Sequence, residues 1–148
     1  MIIGISREIK KEEYRIAITP FGVEELKKDG HTILVETGAG EGSGFSDDEY
    51  LQADADIVDR ATVFKKSDLI VKVKEPLSEE YDLLQEGQAV FTYLHLAPNC
   101  ELTELLLKKK ITGIAYETLQ KDGALPLLAP MSEIAGRMAP LMGAYYLQ

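Results

Sequence analysis

Two apolar runs in the middle of the chain each end in an ionisable residue. LIVKVK, residues 69–74, ends at Lys74, and AVFTYLH, residues 89–95, ends at His95. An apolar strand with a charged group at its C-terminal end is how an open α/β sheet presents chemistry. Arg15 follows the first apolar run of the chain, and Glu117 follows the run at 111–116. The residue types suit one another. Arginine clamps a carboxylate through two parallel hydrogen bonds. Lysine is a compact charge that neutralises or polarises a carboxylate or carbonyl oxygen. Histidine exchanges protons near neutrality. Together they fit a small anionic metabolite such as a 2-oxo or 2-amino acid.

Each residue also has a plain structural reading. Arg15 follows Lys10, Lys11, Glu12 and Glu13 and is compatible with one more solvated charge. Lys74 shares a strand face with Lys72 by simple alternation, which would let both snorkel out of the sheet. His95 alternates with Tyr93 and Phe91 and fits a satisfied core histidine equally well. Glu117 could simply end a strand.

The elements that must position these groups alternate. A first strand at residues 1–5 is followed by a polar segment. A helix then opens at Thr19-Pro20, with Thr19 as cap and proline in the first turn, and stops at Gly30. A second strand, 31–36, leads into TGAGEGSGF. That stretch lacks the glycine offsets of two and five that a dinucleotide fingerprint needs, so a tight or flexible loop is the better reading. Ser46 and Glu49 form a capping box for a short helix. A helix at 59–66, a third strand at 69–74 stopped by Glu75-Pro76, and a short helix at 78–84 follow. The pattern continues with a fourth strand at 89–94, a helix at 100–110 and a fifth strand at 111–116. An irregular link leads to a last helix, residues 131–148, capped by Ser132. Pro140 should kink that helix or delay its start. Its stripe of Ile134, Met138, Leu141, Met142 and Tyr145 reads as packing. The predicted class is α/β: a mostly parallel open sheet with helices on both faces, Rossmann-like or flavodoxin-like. All C-terminal strand ends then lie on one edge, so Arg15, Lys74, His95 and Glu117 converge on one rim.

Composition narrows the function. The chain has 148 residues, 45% hydrophobic and 28% charged, enough for one domain with a real core. A net charge of −9 argues against nucleic-acid binding and anionic membrane surfaces. No apolar run approaches a membrane span. The N-terminus lacks a signal layout, and the single cysteine, Cys100, leaves no internal disulfide, so a cytoplasmic location is expected. Cys100 reads as a helix-start residue. His31 and His95 lie on different elements with no recurring ligand spacing, so no metal site is expected.

Several blocks carry a family resemblance: IGISREIKKEEYRIAITP, GHTILVETGAGEGSGF, VKVKEP, FTYLHLA, IAYET and LPLLAPMSEIAGRMA. They resemble the N-terminal, substrate-binding part of NAD-dependent alanine dehydrogenases, most specifically through VKVKEP followed by FTYLHLA. The related transhydrogenase N-domains share the first two blocks but typically lack that histidine. The resemblance implies reversible oxidative deamination of L-alanine to pyruvate and ammonia with NAD. It implies that Arg15 and Lys74 bind the substrate carboxylate and carbonyl region, that His95 is the general acid/base, that Met131 lies near substrate and nicotinamide, and that Ser132 touches the cofactor. Tyr93 and Glu117 would be supporting residues.

The resemblance also implies a homo-oligomer and a division of the chain. Residues 1–130 would be the substrate-binding domain, and 131–148 a helix leading to an NAD-binding domain that these residues do not include. The 148 residues alone are therefore expected to be inactive as a dehydrogenase. Two other readings compete: a transhydrogenase-like N-domain, and a non-catalytic module that binds a small carboxylate.

Overall fold

A computed structural model describes residues 1–147. Six strands form one parallel sheet in the order β3-β2-β1-β4-β5-β6. They are β1 (Ile2–Ile5), β2 (Thr32–Glu36), β3 (Asp56–Val58), β4 (Leu69–Lys74), β5 (Ala89–Tyr93) and β6 (Thr112–Ala115). The helices are α1 (Pro20–Lys28), α2 (Asp47–Gln52), α3 (Arg60–Lys66), α4 (Cys100–Lys108) and α5 (Ala129–Tyr146). Strand order runs outward in both directions from the β1–β4 pair, as in doubly wound sheets. The expected α/β architecture is therefore present.

Apolar residues cover both faces of the sheet. On one, Val23 of α1 and Tyr50 of α2 pack with Ile3, Ile5, Ile33, Val35 and Val71. On the other, Val63 and Phe64 of α3 and Leu102 and Leu106 of α4 pack with Ile70 and Val90. The strand β1 approaches α3 closely enough to require a glycine. A Cβ on Gly4 would lie 2.3 Å from Ser67 Oγ and 2.9 Å from Val63 Cγ1.

Local chemistry sets the helix starts. The Thr19 hydroxyl accepts from the N–H of Gly22, Ser46 and Glu49 form a reciprocal capping box, and Asp59 accepts from the N–H of Thr62. Gly30 has φ +80° and ends α1.

Four expectations are corrected. The edge strand β3 was not anticipated; its three residues are too short to show a period, and only pairing with β2 defines it. Residues 78–84 form a 3₁₀ turn, Ser78–Glu80, rather than a helix. The last helix starts at Ala129, not at Met131, because Pro130 fits the first turn; the N–H of Ser132 donates to the Leu128 carbonyl rather than Ser132 capping the helix. The helix continues through Pro140 to Tyr146, and Gln148 lies outside the described residues. Its stripe, read as packing, is exposed, from 43% at Met142 to 71% at Leu141, because no described element covers that face.

Candidate active site

The C-terminal edge of the sheet carries the predicted residues. Arg15 stands on the loop between β1 and α1, Lys74 at the end of β4, His95 just beyond β5, and Glu117 beyond β6. The loops after β1 and β4 leave from the point where strand order reverses, which is where open α/β sheets bind ligands. Lys74, Tyr93, His95, Glu117, Leu128 and Met131 line one cavity of about 280 Å³, closed on another side by Lys10 and Glu75. Arg15 borders the neighbouring apolar hollow with Phe91, Tyr93 and Tyr116, and its Nη1 lies 3.7 Å from Met131 Sδ. Five chain segments distant in sequence thus meet at one rim.

The conformation of β4 decides which lysine reaches it. Val71 pairs with Phe91, but Lys74, not Val73, pairs with Tyr93. β4 therefore spends three residues where β5 spends two, which is a β-bulge. The bulge breaks the alternation expected of Lys72 and Lys74. Lys74 shares a face with Tyr93 and lines the cavity. Lys72 stays on the opposite face and does not snorkel: its side chain is 1% exposed and pairs with Glu80 at 2.7 Å and with Glu8 at 3.6 Å.

His95 is held from the backbone. Its φ is +46°, a conformation rare for residues other than glycine. Glu117 reaches from β6 and accepts the N–H of His95 at 2.7 Å and that of Leu94 at 3.3 Å. Two hydrogen bonds to one carboxylate over-determine a turn that the local sequence would not favour. Glu117 does more than end a strand; it fixes the bend that presents the imidazole.

Arg15 is oriented by a residue that pattern reading passed over. Glu13 accepts from Arg15 Nε at 2.7 Å and Nη2 at 2.6 Å, along one side of the guanidinium. Nη1, the nitrogen beside Met131, is outside that pair. The hydrogen bond from Arg15 holds the Glu13 carboxyl below its usual range, and Glu13 in turn raises Arg15. Glu13 lies in the charged run 10–15, where no periodicity separates a functional carboxylate from a solvated one.

The remaining wall is aromatic. Tyr116 meets Phe91 and Tyr93 edge-on, with ring centroids 4.3 and 5.0 Å away. Burial raises the Tyr116 phenol, which keeps it neutral. The Tyr93 hydroxyl donates to the Leu127 carbonyl at 2.7 Å and ties the irregular link before α5 to the rim. Tyr93 supports the site in this way, and Tyr116 was not singled out from sequence.

The groups that would hold a dinucleotide are used otherwise here. The turn after β1 carries Ser6, Arg7 and Glu8 where a phosphate-binding turn needs glycines. Glu36, the carboxylate at the end of β2, is buried and taken up by Arg60 Nη2 at 3.0 Å and the N–H of Arg7 at 3.0 Å. The Gly38 N–H is already bound to Asp47. Residues 37–45 form a tight loop around a 3₁₀ turn. Ser132 is exposed on the first turns of α5 beside Met131. His31 lies at the opposite edge of the sheet, near the N-terminal amine. Among the described residues, no three His, Cys, Asp or Glu side chains come together as a metal site.

This architecture is a doubly wound α/β domain with Lys74 and His95 lining a cavity near its strand-order reversal and, among the described residues, no glycine-rich phosphate cradle. A family model described as "Alanine dehydrogenase/PNT, N-terminal domain" matches residues 4–135, and the chain belongs to that family. It is 57% identical over 150 residues to an alanine dehydrogenase of Methanococcus maripaludis, covering 100% of this chain and 40% of that protein. It is 51% identical to the alanine dehydrogenase of Bacillus subtilis, covering 100% of this chain and 39% of that one. A solved L-alanine dehydrogenase superposes with a TM-score of 0.93 at 48% identity, over 99% of this chain and 41% of the other. A transhydrogenase from Sinorhizobium meliloti superposes with a TM-score of 0.77 at 30% identity, over 82% of this chain and 36% of that one. The chain thus spans about 40% of the length of the alanine dehydrogenases it matches.

Proposed function

We propose that this chain is the substrate-binding part of an NAD-dependent alanine dehydrogenase, with residues 1–130 as the binding body and α5 as the helix leading out of it. The observation that carries the reading is the convergence of Arg15, Lys74 and His95 with Met131 at one edge of the sheet. Identity to alanine dehydrogenases across the whole chain supports the choice of substrate.

In this reading Arg15 and Lys74 take the carboxylate and the carbonyl oxygen of pyruvate, or the corresponding groups of alanine. Two cations on different loops fix the acid in one orientation, which lowers the entropy cost of reaching the reactive geometry. His95 moves the proton that accompanies interconversion of the carbonyl and amino forms. A nicotinamide dinucleotide, when bound, supplies the hydride acceptor. This domain offers it only Met131 and Ser132, since the turn after β1 lacks the cradle. The reading places the enzyme in the cytoplasm as a homo-oligomer.

Steady-state kinetics of the full-length enzyme test it. Arg15→Ala should raise KM for pyruvate about ten- to a hundredfold through loss of a charged hydrogen-bonding partner. His95→Ala should lower kcat about a hundredfold or more. Unchanged turnover in the histidine variant would refute the proton-transfer role. Pyruvate-dependent NADH oxidation by the isolated 148 residues would show that the rest of the enzyme is not needed.

A further inference from the structure

The bulge that turns Lys74 toward the cavity is held by a carboxylate from another strand's loop. Glu8 lies on the turn after β1, and its side chain is only 3% exposed. Its Oε1 accepts the N–H of Val73 at 2.6 Å and that of Lys74 at 3.4 Å, the two residues at the bulge. Glu117 makes the same arrangement on the neighbouring strand with Leu94 and His95. Beneath Glu8, the Lys72 ammonium lies 3.6 Å from its other oxygen, and Lys72 is anchored in turn by Glu80, which also accepts the N–H of Leu77. Above it, Lys10 and Glu75 close an ion pair between the same two loops. The end of β4 is therefore clamped from both sides across the strand-order reversal.

We propose that Glu8 is a positioning residue for substrate binding: its carboxylate fixes the β4 bulge and so aims Lys74 at the cavity rather than at the face occupied by Lys72. The proposal rests on the reading of Lys74 as a substrate-binding residue. Glu8 lines no part of the cavity that His95 borders; it borders the adjoining hollow that Arg15 also lines, but its Oε1 is taken up by the N–H groups of Val73 and Lys74, so its role runs through Lys74. Without it, two adjacent N–H groups lose their acceptor, and β4 can relax into regular alternation, which carries Lys74 away from Tyr93. Charge and geometry predict opposite outcomes. Removing a negative charge near Lys74 should favour an anionic substrate, whereas losing the bulge should disfavour it.

The test is a double-mutant cycle in the full-length enzyme, reading KM for pyruvate, kcat and the melting temperature of Glu8→Ala, Glu8→Gln, Lys74→Ala and the double variants. Lys74→Ala should raise KM at least tenfold. Glu8→Ala should raise KM about five- to tenfold with kcat within about threefold, since misplacement of a binding group is felt mainly in binding when the proton-transfer group is untouched. Glu8→Gln retains an acceptor oxygen and should recover most of that loss. In the double variants, Glu8 substitutions should add less than about twofold to the Lys74→Ala effect, because both remove one interaction. If Glu8→Ala does not fold, the Glu8→Gln cycle carries the same criterion, with KM raised about threefold alone and unchanged in the Lys74→Ala background. A lowered or unchanged KM, or effects that multiply in the double variant, overturns the proposal while leaving Lys74 in its role. An unaffected KM in Lys74→Ala overturns both.

Discussion

Lys72→Met tests whether the buried charge cluster under the site is organised as described. Methionine keeps the length and apolar stem of lysine but removes its charge. The Lys72 side chain is 1% exposed, Glu80 0% and Glu8 3%, so the two carboxylates would be left in the interior without their shared cation. Removing one partner from a buried ion pair costs about 3–5 kcal/mol. At about 2–4 °C per kcal/mol for a domain near this size, the melting temperature should fall by about 6–20 °C. The sign of the pH dependence follows from Glu8. Burial already pushes its carboxyl above the usual range, against the pull of Lys72 and of two N–H donors. A carboxyl raised in the folded state favours folding below its ordinary range, and that contribution is lost as pH rises through the folded value. Removing Lys72 raises Glu8 further, so the deficit of the variant should be larger at pH 8 than at pH 5. Glu80→Gln in the same background removes a second buried charge and should recover part of the loss, while still accepting from Leu77. Thermal and denaturant unfolding at the two pH values measure all of this. A Lys72→Met variant within about 1 kcal/mol of the parent, or a deficit indifferent to pH, would refute the buried-cluster account.

Gly4→Ala should destabilise the chain by about 1–3 kcal/mol, because the added methyl meets Ser67 Oγ at 2.3 Å; a neutral effect in denaturant unfolding would contradict the close β1–α3 approach. Glu13→Gln should leave stability within about 1 kcal/mol, as expected for a pair whose arginine is half exposed. The same change should raise the Kd of pyruvate by calorimetry, because Arg15 loses one of its two side-on acceptor oxygens. Loss of negative charge alone would lower that Kd, so the direction separates orientation from electrostatics.

Much of this fold could be read from residue order. The alternation of apolar runs with capped helices sets a parallel sheet, and the Thr19 and Ser46 caps are local contacts within three residues. A parallel sheet puts its C-terminal ends on one edge, so Arg15, Lys74, His95 and Glu117 could be grouped from sequence alone. The family resemblance implied a substrate and a reaction for that group.

The tertiary structure decided what local pattern cannot contain. Strict alternation puts Lys72 and Lys74 on one face, with only the strand end favouring Lys74; the bulge separates their faces, and it is defined by pairing with β5 and by Glu8, whose acceptor oxygen is 65 residues away in sequence from Val73. The roles of Glu8 and Glu117 were hidden for the same reason. A carboxylate that accepts backbone N–H groups of a distant strand looks, in sequence, like any solvated charge. Residue types and the period of apolar runs follow from the chain itself. Which polar group satisfies a backbone donor on another strand depends on strand order and register, and those exist only once the sheet has formed.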